Sequence, residues 1–354
     1  MWVTFIDWPE SESGLINELR RLGVRSFLLR SSQMSYELLR RIDDISDVIY
    51  VSRRGPNPLM SLDVLRVMKS VNRPVVIGML EPAFSLRGVR PSNLYYSIRS
   101  FVFLTYVKLS RKFKNIHVLD SFSYRLLSVL IGRNIYYAPY GVETARCAKV
   151  TRSSMMKSNE FSMVFVHAEY RKGGDIVTSM IPSLIKVLND IRFIIILGSA
   201  VPSLRQRFLS LAREYKDRVF IYNFLPRDEF YRILSQSHVL LFPSRWEVFG
   251  RVVLDALACG TPVVTFNIPG APQDIILRYS YLDIGRVAKP FDLKGFIRNV
   301  FYYYKLWKYN YDYYLDISKK AREIAMSYDY NVISKIYLNM FKAIIENSQD
   351  SSYK

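Results

Sequence analysis

The sequence predicts an α/β protein made of two doubly wound domains, each built on a parallel β-sheet. The chain has 354 residues, which is more than a single domain usually contains. Short runs rich in β-branched and aromatic residues alternate with amphipathic stretches, a pattern typical of parallel sheets covered by helices. The alternation stops after Glu143 and restarts at Phe161, and this interruption indicates two domains.

The first domain is expected over residues 1–143. The segment from Met1 has no basic leader, so it is expected to be a first strand rather than a signal peptide. Amphipathic stretches predict helices at Gly14–Leu22, Leu59–Ser70 and Ser123–Leu130. The predicted strands are Val3–Asp7, Arg25–Leu29, Val48–Val51, Pro74–Met79, Ile116–Leu119 and Ile135–Ala138.

Residues 144–160 show no clear period and are expected to be the interdomain linker. A second domain is expected over 161–326, followed by a closing helix and tail over 327–354. The predicted strands of this half are Phe161–Val166, Phe193–Leu197, Val219–Tyr222, Val239–Phe242 and Val263–Phe266. The predicted helices are Asp175–Leu188, Leu204–Tyr215, Asp228–Ser235, Gly250–Cys259, Leu293–Lys308, Tyr313–Ser327 and Asn331–Glu346.

The composition narrows the class of protein. Half of the residues are hydrophobic, which excludes a disordered chain, and the net charge of +19 predicts attraction to phosphate groups in nucleotides, nucleic acids or anionic lipids. Two cysteines and three histidines leave little for a disulfide framework or a zinc site. Cys147 and Cys259 are expected to be a linker residue and a small residue at a helix end. This cysteine usage fits the reducing cytoplasm, so a cytoplasmic location is expected. No apolar run is long enough to span a membrane, so the protein is expected to be soluble or peripheral.

The first chemically distinctive loop is His167–Gly174, which follows a predicted strand and opens a helix. It carries two cations, Arg171 and Lys172, followed by two glycines. Glycines let the backbone approach a ligand closely, and a helix N-terminus offers amides and partial positive charge to a diphosphate. A solvated loop with a glycine turn would have the same composition, and the residues alone do not separate the two interpretations.

The second loop is Pro243–Arg251, again between a predicted strand and a helix. Glu247 lies at the strand end, where a carboxylate can accept hydrogen bonds from sugar hydroxyls. Its nearest candidate ion-pair partners along the chain are Arg245 and Arg251. Asp255 lies inside the following helix and leans towards its N-terminus, where it could reach a ribose. A structural ion pair between Asp255 and Arg251, four residues apart, is the alternative, and both can hold.

The stretch Leu241–Val264 resembles the signature of the family 4 retaining glycosyltransferases. That signature has two acids separated by seven residues around Phe-Gly, followed by Ala-x-Gly-x-Pro-Val. The loop Gly270–Ile276, the border Ala138–Glu143 and the segment Ser327–Tyr330 are similar to other marks of that family. The resemblance extends over about Ile116–Glu346. It implies the GT-B fold, with two facing Rossmann-like domains and a C-terminal helix that crosses back to the first domain.

The resemblance also implies roles for individual residues. Glu247 would hold hydroxyls of a donor sugar and act with Lys172 in catalysis, and Asp255 would bind the ribose. The remaining donor-binding candidates, carried over from the family's motifs, are His167, Arg171, Gly173, Leu225, Phe249 and Gly250. Leu225 lies where the family's backbone meets the base, and Arg171 and Lys172 would neutralise the diphosphate.

This sequence departs from the family at several positions. With Lys172 in register, the family's arginine falls on His167, and Asp255 is one methylene shorter than the usual glutamate. The glycine-rich loop of the first domain shrinks to Ser13–Gly14, and Leu80–Glu81 stands where the family often has a histidine. Gly14 and Glu81 are therefore the acceptor-side candidates.

The expected reaction moves a sugar from a UDP- or GDP-linked donor to a hydroxyl of a glycan, lipid or protein. The nucleotide sugar is a substrate, and no cofactor or metal is expected, because the chain has no Asp-x-Asp motif. The resemblance implies retention of anomeric configuration. Two alternatives stay open: an enzyme whose acceptor is nucleic acid, and a module that binds the donor without turnover.

Residues 87–114 carry only basic charges, interleaved with aromatic residues. This pattern fits an interfacial helix that touches an anionic membrane, which would make the protein peripheral at that surface. It also fits a core helix with a solvated basic face.

Overall fold

A computed structural model of the chain describes residues 1–9, 13–52, 70–78, 114–132, 134–152 and 159–350. The chain divides into two compact units. Unit 1 comprises Met1–Gly141 together with Tyr330–Lys354, and unit 2 comprises Val142–Asp329. Within the described ranges each unit contains one six-stranded sheet, and all of the strand pairs there are parallel.

The sheet of unit 1 has the order β2-β1-β3-β4-β5-β6. Its register brings Val3 opposite both Ser26 and Val48. The central strands are buried on both faces, as the continuous apolar runs predict. The strands are β1 (Trp2–Ile6), β2 (Arg25–Leu29), β3 (Val48–Ser52), β4 (Val75–Gly78), β5 (Asn115–Val118) and β6 (Asn134–Tyr137).

Three helices of unit 1 are described before the chain enters unit 2: α1 (Ser13–Arg21), α2 (Tyr36–Ile45) and α3 (Ser121–Ile131). Ser35 and Asp120 cap α2 and α3 through side-chain oxygens that accept backbone N–H bonds. The apolar faces of these two helices join the strands in one core. That core contains Ile6, Leu39, Ile42, Ile49, Val51, Val75, Ile77, Ile116, Val118, Leu127 and Ile131.

The sheet of unit 2 has the order β12-β11-β10-β7-β8-β9. Strands β7 and β8 pair along their whole length, from Phe161 opposite Ile191 to Val166 opposite Ile196. The strands are β7 (Phe161–Val166), β8 (Ile191–Ile196), β9 (Val219–Tyr222), β10 (Val239–Phe242), β11 (Val263–Phe266) and β12 (Gly285–Ala288).

Seven α-helices are described in unit 2, and two of them matter most for the site because they begin directly after β7 and β10. The helices are α4 (Thr144–Arg152), α5 (Gly174–Val187), α6 (Pro202–Glu214), α7 (Arg227–Gln236), α8 (Arg251–Ala258), α9 (Leu293–Tyr309) and α10 (Tyr311–Met326).

The last helix, α11 (Tyr330–Asp350), belongs to unit 1. It packs against α1 and β3, and its Phe341 ring lies 5.8 Å from that of Phe5 and 6.1 Å from that of Tyr50. The two parallel sheets and the return of the last helix confirm the predicted fold class.

Three local expectations need correction or restriction. Thr144–Arg152, expected to be irregular linker, forms α4, because Cys147 and Val150 bury one face and the Asp329 carboxylate accepts from the backbone N–H of Thr144. Strand β12 was not predicted; it is a short edge strand with a glycine and an arginine, and only its pairing with β11 defines it. The predicted helix Leu59–Ser70 lies outside the described residues except for its last residue.

Among the helices that the structure describes, none is long and apolar enough to cross a membrane.

Candidate functional site

The strand order of unit 2 locates the site. From β7 the chain proceeds outward to β8 and β9, then returns to place β10 on the other side of β7 and proceeds to β11 and β12. The connections after β7 and after β10 therefore leave the sheet in opposite directions. A crevice opens at such a switch point, at the carboxyl ends of the strands. The two loops that the sequence singled out, His167–Gly174 and Pro243–Arg251, are these two connections.

The two loops approach each other closely at Gly173. This residue has φ +80° and is the N-cap of α5. A Cβ atom added there would lie 2.3 Å from the carbonyl oxygen of Pro243, so only glycine fits without movement of the backbone. The first glycine of the pair thus serves contact between the loops as well as the start of the helix.

Arg245 fastens the loops together. Its guanidinium donates to both carboxylate oxygens of Asp175, at 2.8 and 2.7 Å, and to the carbonyl oxygen of Tyr170. Its backbone N–H donates to the carbonyl oxygen of Arg171 at 2.9 Å. Arg245, one of the two candidate partners of Glu247 along the chain, therefore pairs with Asp175 instead. The sequence does offer an indication that Asp175 is this partner, because Asp175 is an acid in the first turn of a helix, next to a loop rich in cations.

Glu247 is buried between the two cations of the opposite loop. Its Oε1 accepts from the Lys172 ammonium and, at 2.9 Å, from the Ser244 hydroxyl, and its Oε2 accepts from Arg171 at 3.1 Å. The Glu247 side chain is 5% exposed, whereas Lys172 is 14% and Arg171 29% exposed. Arg251, the other candidate partner along the chain, is not among the groups that donate to this carboxylate. A buried acid and two more exposed cations thus form one cluster, which we call the Glu247 cluster.

The two cations of the Glu247 cluster determine the protonation state of its carboxyl group. Burial by itself raises the pKa of the Glu247 carboxyl, but the charges of Lys172 and Arg171 outweigh this effect, and the pKa lies below its ordinary value. The Arg171 guanidinium also stacks over the Trp246 ring, 4.8 Å from its centroid, and lies 3.5 Å from Glu169. The carboxyl is therefore ionised at neutral pH, and both cations are oriented before any ligand arrives.

His167 lies at the base of the same loop. Its backbone has φ +68°, which is uncommon for a residue with a side chain. Its buried Nδ1 has no hydrogen-bond partner among the described residues. A Cβ added to Gly198 would lie 2.4 Å from this nitrogen. Burial, followed by the charge of Lys172, lowers the pKa of the imidazole, so His167 is neutral at neutral pH.

Phe249 and Gly250 form the start of α8. Gly250 is the N-cap, with φ +88°, and a Cβ there would lie 2.9 Å from the Phe242 ring. The Phe249 side chain is fully buried, and its carbonyl oxygen accepts from the N–H of Ala271 at 2.6 Å. The first N–H groups of α8 therefore begin beside the Glu247 cluster, on the loop that carries the acid.

Asp255, Arg227 and Tyr231 form another group of contacting side chains, which we call the second cluster. The Oδ1 of Asp255 accepts from Arg227 at 2.7 Å and from the Tyr231 hydroxyl at 3.2 Å, and its side chain is 4% exposed. Its Oδ2 receives no hydrogen bond from the residues that the structure describes. The alternative pair with Arg251, four residues away, is not the one formed: the partner is Arg227, which sequence reasoning missed because it lies 28 positions away on α7. Burial, and then the charge of Asp255, raise the pKa of Tyr231.

The remaining candidates are more scattered. Leu225 is partly buried in the turn between β9 and α7, two residues before Arg227. Gly14 is the second residue of α1 in unit 1. Glu81 and nearly all of the 87–114 stretch lie outside the described residues. The structure thus brings together Lys172, Arg171 and Glu247, with His167 near enough to feel their charges.

Residues 152–323 match the family model described as Glycosyl transferases group 1. Unit 2 therefore resembles the glycosyltransferase group 1 family. The match covers most of unit 2 and includes both loops of the site.

Curated relatives align with part of the chain. A phosphatidylinositol N-acetylglucosaminyltransferase subunit of Arabidopsis thaliana is 25% identical over 150 residues, 42% of this chain and 33% of that protein. Its human counterpart is 33% identical over 107 residues, 29% of this chain and 21% of that protein. The O-antigen biosynthesis glycosyltransferase WclY of Escherichia coli is 35% identical over 99 residues, 28% of this chain and 26% of that protein. The aligned part therefore spans a third or less of the length of these relatives.

Solved structures resemble the whole chain. A glycosyltransferase from Rickettsia africae superposes with a TM-score of 0.72 at 16% identity, covering 98% of this chain and 99% of the other. Sucrose-phosphate synthase from Thermosynechococcus elongatus gives 0.73 at 15% identity, covering 97% and 100%. At such low identity the likeness establishes the GT-B fold, which is the fold class predicted from the sequence.

Proposed function

We propose that this protein is a retaining glycosyltransferase that moves a sugar from a UDP- or GDP-linked donor to an acceptor hydroxyl. The observation that carries the proposal is the Glu247 cluster: a buried carboxylate held by Lys172 and Arg171 at the switch point of a parallel sheet. Two cations suit a diphosphate, and an ionised acid beside them suits the hydroxyls of the attached sugar.

The proposed mechanism begins with an exchange of partners. Without a donor, Glu247 partly neutralises Lys172 and Arg171. A diphosphate brings competing oxygens to both cations, which frees carboxylate lone pairs to accept from sugar hydroxyls. During transfer, negative charge grows on the departing diphosphate, and Lys172, Arg171 and the first N–H groups of α8 offset it. Such preorganised charge lowers the barrier without a protein nucleophile or a metal.

The nucleoside end of the donor is assigned to the second cluster. Arg227 and Tyr231 hold Oδ1 of Asp255, so its Oδ2 is available to accept from a ribose hydroxyl. The backbone around Leu225 would meet the base, as the family resemblance implies. Arg227 is then a positioning residue, since it acts on the ribose through Asp255.

The acceptor that we propose is a hydroxyl of a glycan or of a lipid-linked molecule. Relatives named for phosphatidylinositol and for O-antigen synthesis support this class. The net charge of +19 would favour an enzyme working at the edge of an anionic membrane from the cytoplasmic side.

A thermal-shift screen against nucleotide diphosphates and their sugars tests the donor proposal. A bound donor should raise the melting temperature of the parent, because it binds only the folded state. Lys172→Met should abolish most of this shift for UDP and GDP alike. The matched control is Lys186→Met, an exposed lysine on α5 whose loss changes the net charge equally. Equal shifts in all three proteins would reject Lys172 as a phosphate ligand, and release of nucleotide diphosphate from donor and acceptor would establish turnover.

A further inference from the structure

The chain has two cysteines, and the fold brings them into contact. Cys147 lies in α4 and Cys259 is the C-cap of α8, 112 residues further along the chain, yet their Sγ atoms are 3.2 Å apart. Both are thiols, and their residues are 0% and 1% exposed. Sequence reasoning assigned them no joint role, because nothing in a sequence of this spacing indicates that the two helices meet.

Independent contacts hold each sulfur in place. Helix α4 packs against α7 and α8, and Asp329 accepts from the N–H of Thr144 at its first turn. Cys259 donates its backbone N–H to the carbonyl oxygen of Asp255 at 3.2 Å. The contact between the sulfurs therefore follows from two packed helices and not from a flexible loop.

We propose that Cys147 and Cys259 are a dithiol site that closes to a disulfide by exchange with a small disulfide such as oxidised glutathione. The thiolate of one cysteine attacks the glutathione disulfide and releases one glutathione thiol. The second cysteine then attacks the mixed disulfide, forms the Cys147–Cys259 bond and releases the second glutathione. Two electrons pass from the pair to glutathione, and both cysteine protons end on the released thiols. The S–S bond is about 2.0 Å long, so the sulfurs need to approach by only about 1 Å.

Burial of the two sulfurs slows this reaction, whereas their adjacency in the fold favours its product. The attacking species is a thiolate, and burial raises the pKa of the Cys259 thiol. Glutathione also cannot reach two buried sulfurs until α4 opens locally. Oxidation is therefore slow, but the folded state favours the closed product once it forms, because the sulfurs are already adjacent.

The site adjoins the second cluster. Cys259 follows Asp255 by one helical turn, and its backbone N–H bonds to the Asp255 carbonyl. A disulfide would tie α4 covalently to the helix that carries Asp255. The proposal concerns the redox chemistry of the pair and does not depend on any bound ligand.

The test compares the folded full-length chain with the same chain in urea. Each is equilibrated in buffers of graded glutathione ratio, from the reduced and from the oxidised side, so that slow access is not mistaken for an unfavourable equilibrium. Thiol titration, intact mass and peptide mapping follow the product. The folded chain should form the disulfide, and so lose both thiols and two hydrogen masses, at a lower ratio of oxidised to reduced glutathione than the unfolded chain. We expect this ratio to be lower by about 30-fold or more than the ratio required in urea.

Cys147→Ser and Cys259→Ser are the matched controls. Each leaves one thiol, which can carry only a glutathione adduct, so neither variant should show the loss of two hydrogen masses. The proposal is overturned if the folded chain needs a ratio equal to, or more oxidising than, that of the unfolded chain. It is equally overturned if the folded parent acquires glutathione in place of the internal bond. The parent comparison stands even if a serine variant fails to fold.

Discussion

Glu247 shows how a carboxylate can serve both structure and function at one position. Three groups donate to it, two of them cations, and its side chain is almost fully buried. Removing a buried acid leaves its partners charged and unpaired, which commonly costs a few kcal/mol of stability. The arrangement therefore predicts that an alanine at this position destabilises unit 2, in contrast to the small effect expected for a surface ion pair.

Glu247→Gln separates the two roles, since it keeps the shape and removes the charge. We expect turnover to fall at least about 100-fold, about 2.7 kcal/mol in the barrier, because the bonds that orient the donor sugar weaken. Affinity for free nucleotide diphosphate should stay equal or rise, because Lys172 and Arg171 lose their competitor. Calorimetry and steady-state kinetics measure the two quantities.

Glu229→Gln is the matched control for this variant, because Glu229 is exposed on α7 of the same unit. It should leave both quantities within a few-fold of the parent. If Glu247→Gln keeps parental turnover once a donor and an acceptor are known, Glu247 is only a counter-ion for the two cations.

At the scale of elements, the contact between the β7–α5 and β10–α8 loops is what shapes the site. The loops are joined by Arg245 and by the close approach of Gly173 to Pro243. Both helices begin at a glycine with positive φ, so that each turns sharply out of its strand. The geometry of the Glu247 cluster depends on this junction, since its acid and its cations come from different loops.

Gly173→Ala tests the junction. The left-handed backbone alone costs a residue with a side chain about 1–2 kcal/mol, and the clash with Pro243 adds to that cost. We expect a loss of more than about 2 kcal/mol in the free energy of unfolding of unit 2, measured by urea denaturation, together with weaker nucleotide binding. Gly132→Ala is the control: Gly132 also has positive φ, but a Cβ there meets nothing within 4 Å. Equal losses in the two variants would show that the close approach has no energetic consequence.

At the scale of the whole molecule, a buried histidine in unit 1 links stability to pH. The Nε2–H of His117 donates to the carbonyl oxygen of Ala138 at 2.8 Å, so Nδ1 is the acceptor for the Tyr50 hydroxyl at 2.7 Å. Burial lowers the pKa of His117 to about 4. The unfolded histidine takes up its proton near pH 6.5, before the folded one does, so the unfolded state is favoured as the pH falls.

We therefore expect the free energy of unfolding to decrease by about 2–3 kcal/mol between pH 7 and pH 4 from this group alone. Carboxyl groups titrate in the same range, so the comparison is with His117→Gln. This variant can keep the donation to Ala138 and has no titratable ring. Its stability should be lower at pH 7 and fall less steeply towards pH 4. Parallel pH profiles for the two proteins would contradict the assignment.

The charge of the whole chain gives a further prediction. If residues 87–114 contact a membrane, the protein should sediment with anionic vesicles, and less so as salt rises. The double variant Arg111→Glu/Lys112→Glu should lose most of this binding. Arg213→Glu/Lys216→Glu, an equal change of charge on the exposed surface of unit 2, should lose much less. Equal sedimentation with neutral and anionic vesicles, or equal losses in both variants, removes this segment as the membrane contact.

The sequence alone determined most of the described strands and helices, and the two loops that carry chemistry. Short β-rich runs of four to six residues predicted eleven of the twelve described strands. In central strands such as β3 and β7 the run is almost wholly apolar, because both faces of a parallel sheet are buried there. Glycines and cations directly after Val166, and an acid after Phe242, indicated the loops that the strand order then placed at one switch point.

Only the tertiary structure decided which side chains meet. Glu247 pairs with Lys172 and Arg171 rather than Arg245, Asp255 pairs with Arg227 rather than Arg251, and Cys147 touches Cys259. These partners lie 28 to 112 residues apart, so their contact depends on strand order and helix packing, which local periodicity does not encode. The same reason explains α4 and β12, since a partner distant in sequence, Asp329 or β11, stabilises each of them.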